Sequence, residues 1–209
     1  MINISKTNSK NCKMYTLHNK KVISFNLPAM KTCPGAGYCK SFCFAKVGCF
    51  QFRNVQENYL ENYLETLESN FASNFMNKIN LINFDILRFH DSGDIYSQSY
   101  LNKIIEISKN IPSKQVYMYT KSLHLNFDHV PSNMHVVQSL GGKYDKLVNL
   151  KRSHSRVFPS EISAIAAGYK LSPDGSDILA INGTIKIGLV YHGTKKLNSS
   201  QINYLNKRK

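Results

Sequence analysis

Between Lys21 and Tyr191 short apolar runs alternate with amphipathic stretches, and this alternation restricts the accessible folds more than any other feature. The run KVISFNL over 21–27 has the pattern of a strand. From Val55 to Ile82 no turn signal occurs, and apolar residues fall at Tyr59, Leu60, Tyr63, Leu64, Leu67, Phe71, Phe75, Ile79 and Ile82. Steps of three and four predict one amphipathic helix or two in succession. After the apolar run 84–89, a helix over about 98–109 is expected from Tyr100, Leu101, Ile104, Ile105 and Ile107, with Pro112 ending it. Further strands are expected over 115–119, 134–140, 156–158 and 185–191. Ser160 is placed to cap a helix over 161–168. This order predicts an α/β fold, a mostly parallel sheet with crossover helices. No repeat or linker interrupts it, so 1–209 reads as a single domain with room for a core.

Polar residues collect where these strands end. His90, Asp91, Ser92, Gly93 and Asp94 follow one strand, Thr120 and Lys121 a second, Gln138 and Ser139 a third, and His192 a fourth. In barrels and open α/β sheets ligands bind at the carboxyl ends of strands, so the clusters are expected to converge on one mouth. The HDSGD run suits a divalent metal, acid/base chemistry or a ribose. Plainer roles compete for the same residues: Asp94 in a turn, Ser92 as a helix cap, Lys121 as an exposed strand-end cation, His192 as a structural histidine. Arg88 lies within a strand, where an unpaired guanidinium is costly, and is expected to meet one of these carboxylates or an anionic ligand. His124, His129, His135 and His154 have no supporting spacing.

Four of the five cysteines, Cys33, Cys39, Cys43 and Cys49, lie within 17 residues in the spacing C-x5-C-x3-C-x5-C. Such a cluster in a cytosolic chain is more often a metal site than a disulfide framework. Structural zinc sites usually pair two short knuckles across a longer spacer. That spacing is absent, although four thiolates can still bind zinc. A closely spaced trio suits an iron–sulfur cluster and leaves one iron open to an outside ligand. Small, buried and purely structural cysteines are the plain alternative, and Cys12 reads that way.

Lys and Arg number 27 against 13 Asp and Glu, a net charge of +14. This excess favours polyanions, because neutralised phosphates release counterions; a solubility surface is the rival explanation. The basic tail 195–209 reads as a loose phosphate-binding arm or a disordered end, and Lys151, Arg152 and Arg156 as phosphate contacts or a solvated face. No apolar run reaches the ~18–20 residues of a membrane helix, and residues 1–6 lack a secretory apolar stretch, so a soluble cytoplasmic protein is expected. Phosphate-loop, dinucleotide-fold, zinc-protease and serine-hydrolase motifs are missing.

Five motifs occur in fixed order over about residues 20–193: FNLPA, TCPGAGYCKSFCFAKVG, RFHDSGDIYSQSY, YMYTKS and IGLVYHG. Together they resemble the phage gene-product-88 family. Its pattern has cysteines at Cys33, Cys39 and Cys43 and an aromatic-Ala pair after the third, here Phe44-Ala45, which implies a three-thiolate site without Cys12 or Cys49. The layout is also similar to phage proteins related to radical S-adenosylmethionine enzymes. Those carry a Cys-rich loop after the first strand of a partial (β/α) barrel, with the usual spacing C-x3-C-x2-C where this chain has C-x5-C-x3-C.

The resemblance implies a radical-SAM-like partial barrel with a 4Fe-4S cluster on the three cysteines and S-adenosylmethionine or substrate on the open iron. His90, Asp91, Asp94 and Lys121 are then expected to be catalytic. Ser92, Gly93, Thr120, Gln138 and His192 are expected to bind cofactor, and the positive charge suggests nucleic acid or a nucleotide as substrate. Two other readings stand beside this one. One is a metal-dependent nuclease or phosphoryl-transfer enzyme built on HDSGD. The other is a non-catalytic nucleic-acid-binding protein stapled by zinc or a cluster.

Overall fold

Each of the expected strands joins one seven-stranded sheet in a computed structural model that describes residues 1–6, 8–191 and 196–207. The strands are β1 (Ile4–Ser5), β2 (Val22–Phe25), β3 (Ile86–Phe89), β4 (Gln115–Thr120), β5 (Met134–Ser139), β6 (His154–Phe158) and β7 (Lys186–Val190). They lie in chain order, with β1 antiparallel to β2 and every later pair parallel. Six parallel strands without a reversal of order form a singly wound sheet.

The crossover from β2 to β3 carries α2 (Arg53–Leu67) and α3 (Phe71–Ile79), and α4 (Gln98–Lys109) links β3 to β4. The 55–82 segment is thus two helices, parted at residues 68–70. Phe71, Phe75 and Ile79 of α3 and Leu101 and Ile104 of α4 pack with Ile23, Phe25, Leu87, Phe89, Val116 and Met118. Alternate strand residues, Val22, Ile86, Tyr117, Val137 and Ile187, face the other way. That second face is covered by Met14 of α1 (Ser9–His18) and by Ala180 and Ile181 of α6 (Ile178–Ile181). Both faces are therefore buried, and every residue of β2 and β3 is buried, Ser24 and Arg88 included.

Local caps set the helix starts. Ser97, not Ser92, caps α4 by accepting from the Tyr100 amide. Ser160 and Ser163 form a reciprocal capping box at α5 (Glu161–Ala166). The tail differs from expectation: Ser199–Lys207 is a helix, α7, docked on the body by the buried Leu205. His192, Lys195, Arg208 and Lys209 lie outside the described residues. No described helix is long and apolar enough to cross a membrane.

Candidate functional site

Leaving β2, the chain crosses the carboxyl ends of β4 and β5 before reaching α2. Gly35 lies so close to the Lys121 carbonyl that a Cβ there would stand 2.3 Å from its oxygen. The Lys143 amide donates to the Gly35 carbonyl at 2.9 Å, and Ala36 makes an antiparallel bridge with Gly142. Glycine is required at 35 because only a bare backbone permits this approach. These contacts fix the cysteine loop over the strand ends.

Cys33, Cys39 and Cys43 are half-buried free thiols, whereas Cys12 and Cys49 are exposed. Burial, helped by the Asp94 charge and by Cys43 and Cys39, pushes the Cys33 thiol up to about 12 against a hydrogen bond from Met30. Burial also raises Cys43; Cys39 adds to this, while the Ala45 amide, Lys121 and Lys46 oppose it. The three thiols therefore lie within electrostatic reach of one another, with Lys121 and Asp94 beside them. Among the described residues, no three His, Cys, Asp or Glu side chains gather closely enough to hold a single metal ion.

The HDSGD residues divide among three surroundings. The Asp94 carboxylate joins the mouth and accepts from Thr120 Oγ1 at 2.6 Å, the Lys121 amide at 2.9 Å and its own following amide, Ile95, at 2.7 Å. Burial raises its pKa against those three bonds. Asp91 turns to the covered face of the sheet, where Arg88 Nη1 donates at 2.7 Å and Asn8 Nδ2 at 2.8 Å. His90 takes a left-handed φ of 70° and buries its ring toward α4, with Nε2 2.9 Å from Tyr100 Oη. Burial and the nearby Arg88 lower its pKa to about 3, so the imidazole is neutral. The expected cluster at the mouth thus loses His90 to the helix layer and Asp91 to the sheet interior. Gly93 (φ 86°) packs against Leu27 and Thr32, and the buried Ser92 hydroxyl has no hydrogen-bond partner among the described residues.

At the other strand ends, Lys121 Nζ donates to Ser139 Oγ, which brings those two residues to the mouth. Gln138 does not join them, because its amide bonds Asn149 and Ser153 and braces the β5–β6 loop. Arg156, half expected on a solvated face, is buried and donates from Nη2 to the Leu205 carbonyl at 2.6 Å.

Sequence reasoning missed the ionic cluster on the covered face. Asp177, just before α6, accepts from Arg88, from Lys10 Nζ at 2.7 Å, and from the hydroxyls of Tyr117 and Tyr119 at 3.1 and 3.3 Å. Arg88 alone signalled it, as a strand cation in need of partners.

A model of the Gene product 88 family matches residues 2–201. The chain belongs to that family. No curated protein and no solved structure matches it. The match spans all seven strands, the cysteine loop and the start of α7, so the mouth lies wholly within the family unit.

The site of this Gene product 88 family member offers three thiols, one ammonium and a hydrogen-bonded carboxylate on a backbone held by glycine contacts. Thiols are the ligand type that soft metals prefer. Asp91 and Asp94 each have their oxygens engaged and face different layers, so the geometry gives no shared carboxylate site for a nuclease metal.

Proposed function

We propose that this protein binds a 4Fe-4S cluster through Cys33, Cys39 and Cys43 at the mouth of a partial (β/α) barrel and is a radical-type enzyme acting on a nucleotide or nucleic acid. The observation that carries this reading is the glycine-pinned loop, which holds three half-buried thiols over the ends of β4 and β5. The singly wound strand order supports the barrel. One zinc ion bonded at ~2.3 Å to each sulfur needs sulfurs only about 3.8 Å apart, whereas a cluster spreads its thiolates over separate irons. Three thiols that do not gather around one point do not fit a single zinc ion, and a cluster does not require them to.

Such a cluster, with one iron open to S-adenosylmethionine, supplies one-electron chemistry. The chain's own groups prepare the place. Lys121 favours the Cys43 thiolate, and Asp94 fixes the Lys121 backbone. The net charge of +14 attracts a phosphate-bearing substrate.

The test is anaerobic reconstitution with iron and sulfide. The expected product is brown, absorbs near ~400 nm and carries about four irons per chain. Cys33→Ser, Cys39→Ser and Cys43→Ser should each lose the iron, while Cys12→Ser and Cys49→Ser keep it. A colourless protein with stoichiometric zinc, or full iron in the three loop variants, refutes the cluster. A reduced cluster that neither binds nor cleaves S-adenosylmethionine refutes the radical chemistry.

A further inference from the structure

Beneath α7, two cations border one cavity without an ion-paired acid. The cavity measures about 20 Å³, and its lining includes Cys39, Lys121, Gly141, Arg156, Tyr204 and Leu205. Arg156 is only 8% exposed, and its buried Nε has no hydrogen-bond partner among the described residues. Among the described residues neither Arg156 nor Lys121 forms an ion pair. Asp94 is near enough to interact with Lys121, but its oxygens are held by Thr120 and by the amides of Lys121 and Ile95. A buried guanidinium without a counter-charge is costly. An arginine fork next to an ammonium is the usual donor set for a phosphate oxyanion.

What now meets Arg156 is a helix end. The Leu205 carbonyl, in the last turn of α7, accepts from Nη2 at 2.6 Å. Carbonyls at a helix C-terminus carry partial negative charge, so this oxygen stands where a ligand oxygen would. A void of this size holds about one water, and an oxyanion enters only if α7 moves. Other contacts of α7 run to the cysteine loop. Tyr204 stacks on Tyr38 with ring centroids 4.0 Å apart, Ser200 Oγ is 3.2 Å from Tyr38 Oη, and Gln201 Nε2 donates to the Ser41 carbonyl at 3.0 Å. All three end on the short 3-10 turn Tyr38–Ser41, which contains Cys39.

We propose that Lys121 and Arg156 form a binding site for the phosphate group of a nucleotide-sized ligand, and that α7 is its lid, closed here with a backbone carbonyl in the ligand's place. The inference rests on the mouth described above and deepens its nucleotide reading, but it does not depend on iron.

The test is calorimetric titration of chelator-treated, full-length protein with pyrophosphate and with AMP, against potassium chloride of matched ionic strength. One binding site is expected for both ligands and none for chloride. Lys121→Gln and Arg156→Lys should each weaken binding about tenfold or more; the lysine variant keeps the charge and loses the fork. Circular dichroism and thermal melting establish that both variants are folded. Tyr204→Ala removes the stack on Tyr38, loosens the lid and should tighten binding about three- to tenfold.

No binding by either the wild type or Tyr204→Ala overturns the site. Binding unchanged in both cation variants also overturns it, since the surface charge alone then suffices. Weaker binding by Tyr204→Ala overturns the lid. Iron content measured on reconstituted aliquots of the same preparations separates the two readings. A cluster without anion binding refutes this inference alone, and anion binding without a cluster refutes the cluster alone.

Discussion

Arg88 reaches from β3 to Asp177, 89 residues further along the chain, and the same Nη1 also meets Asp91 one turn beyond its own strand. Asp177 in turn takes Lys10 of α1, so two carboxylates and two cations join the sheet to both segments that cover its second face. Removing one partner of a buried pair strands the others, at a cost of about 3–5 kcal/mol. Asp177→Ala should therefore lose roughly that much stability in urea unfolding, because Arg88 and Lys10 both lose their shared acceptor. A midpoint equal to the wild type's would show that the network is not holding the fold together.

The same carboxylate sets an acid limit on stability. Burial alone would raise its pKa, but Arg88 and Lys10 outweigh burial and hold it down to about 2, from an ordinary 3.8. A carboxylate with a depressed folded-state pKa stabilises the fold above its unfolded value, and the benefit is lost as pH falls through the folded one. Its contribution, roughly 2 kcal/mol, should be complete above about pH 4 and gone near pH 2. Unfolding midpoints of wild type and Asp177→Asn, followed against pH, should converge in that window. A constant difference down to pH 2 would exclude the linkage.

His90 acts at higher pH. Its folded-state pKa is lowered from 6.5 to about 3, first by burial and then by Arg88. Between those values the unfolded chain binds a proton that the folded chain refuses, so stability is full above about pH 6.5 and declines as pH falls towards 3. The slope contributed is at most about 1.4 kcal/mol per pH unit. Asparagine tolerates the left-handed φ of 70°, so His90→Asn should fold and lack this slope. In the wild type, the imidazole carbon-bound protons should show no titration by NMR between pH 8 and 5. A midpoint near 6.5 would place the ring in solvent and restore it as a candidate for the mouth.

The fate of His90 shows where a sequence stops being informative. Its identity and its place after a strand suggested a ligand, but a single left-handed residue aims the ring at Tyr100 instead. Residue order does not encode that choice of layer. Helix α4 was legible because Tyr100, Leu101, Ile104, Ile105 and Ile107 repeat at helical spacing and all are buried. Helix α1 was not, since Met14 and Asn11 are the buried residues of an otherwise polar segment, and α6 has only four residues, too few to show a period. Asp177 sits in the run SPDGSD, which reads as a surface turn; only the fold carries it onto Arg88. The nearness of Cys33, Cys39 and Cys43 was legible because a short chain cannot carry closely spaced residues far apart. The lid was hidden for the opposite reason: Tyr204 meets Tyr38 across most of the chain and Leu205 meets Arg156 49 residues back, in a basic tail with no apolar repeat clear enough to read.

The placement of the thiols depends on Gly35. A Cβ at this position would meet the Lys121 carbonyl oxygen at 2.3 Å and its carbon at 2.5 Å, and both are backbone atoms that a rotamer change cannot move. Gly35→Ala must therefore lift the loop off β4 and strain the Lys143 amide bond and the Ala36–Gly142 bridge. A forced overlap of this kind costs about 1–3 kcal/mol. Gly48 in the same loop is the control, since it has a φ of 63° but nothing within 4 Å of an added Cβ. Gly48→Ala should lose only the ~1–2 kcal/mol of a left-handed residue and leave the thiols in place. Thermal unfolding should then show both variants destabilised, while iron uptake on reconstitution falls in Gly35→Ala and holds in Gly48→Ala. Equal iron in the two would mean that contact with the strand ends does not position Cys33, Cys39 and Cys43. The cluster would then owe its geometry to the loop's own turns.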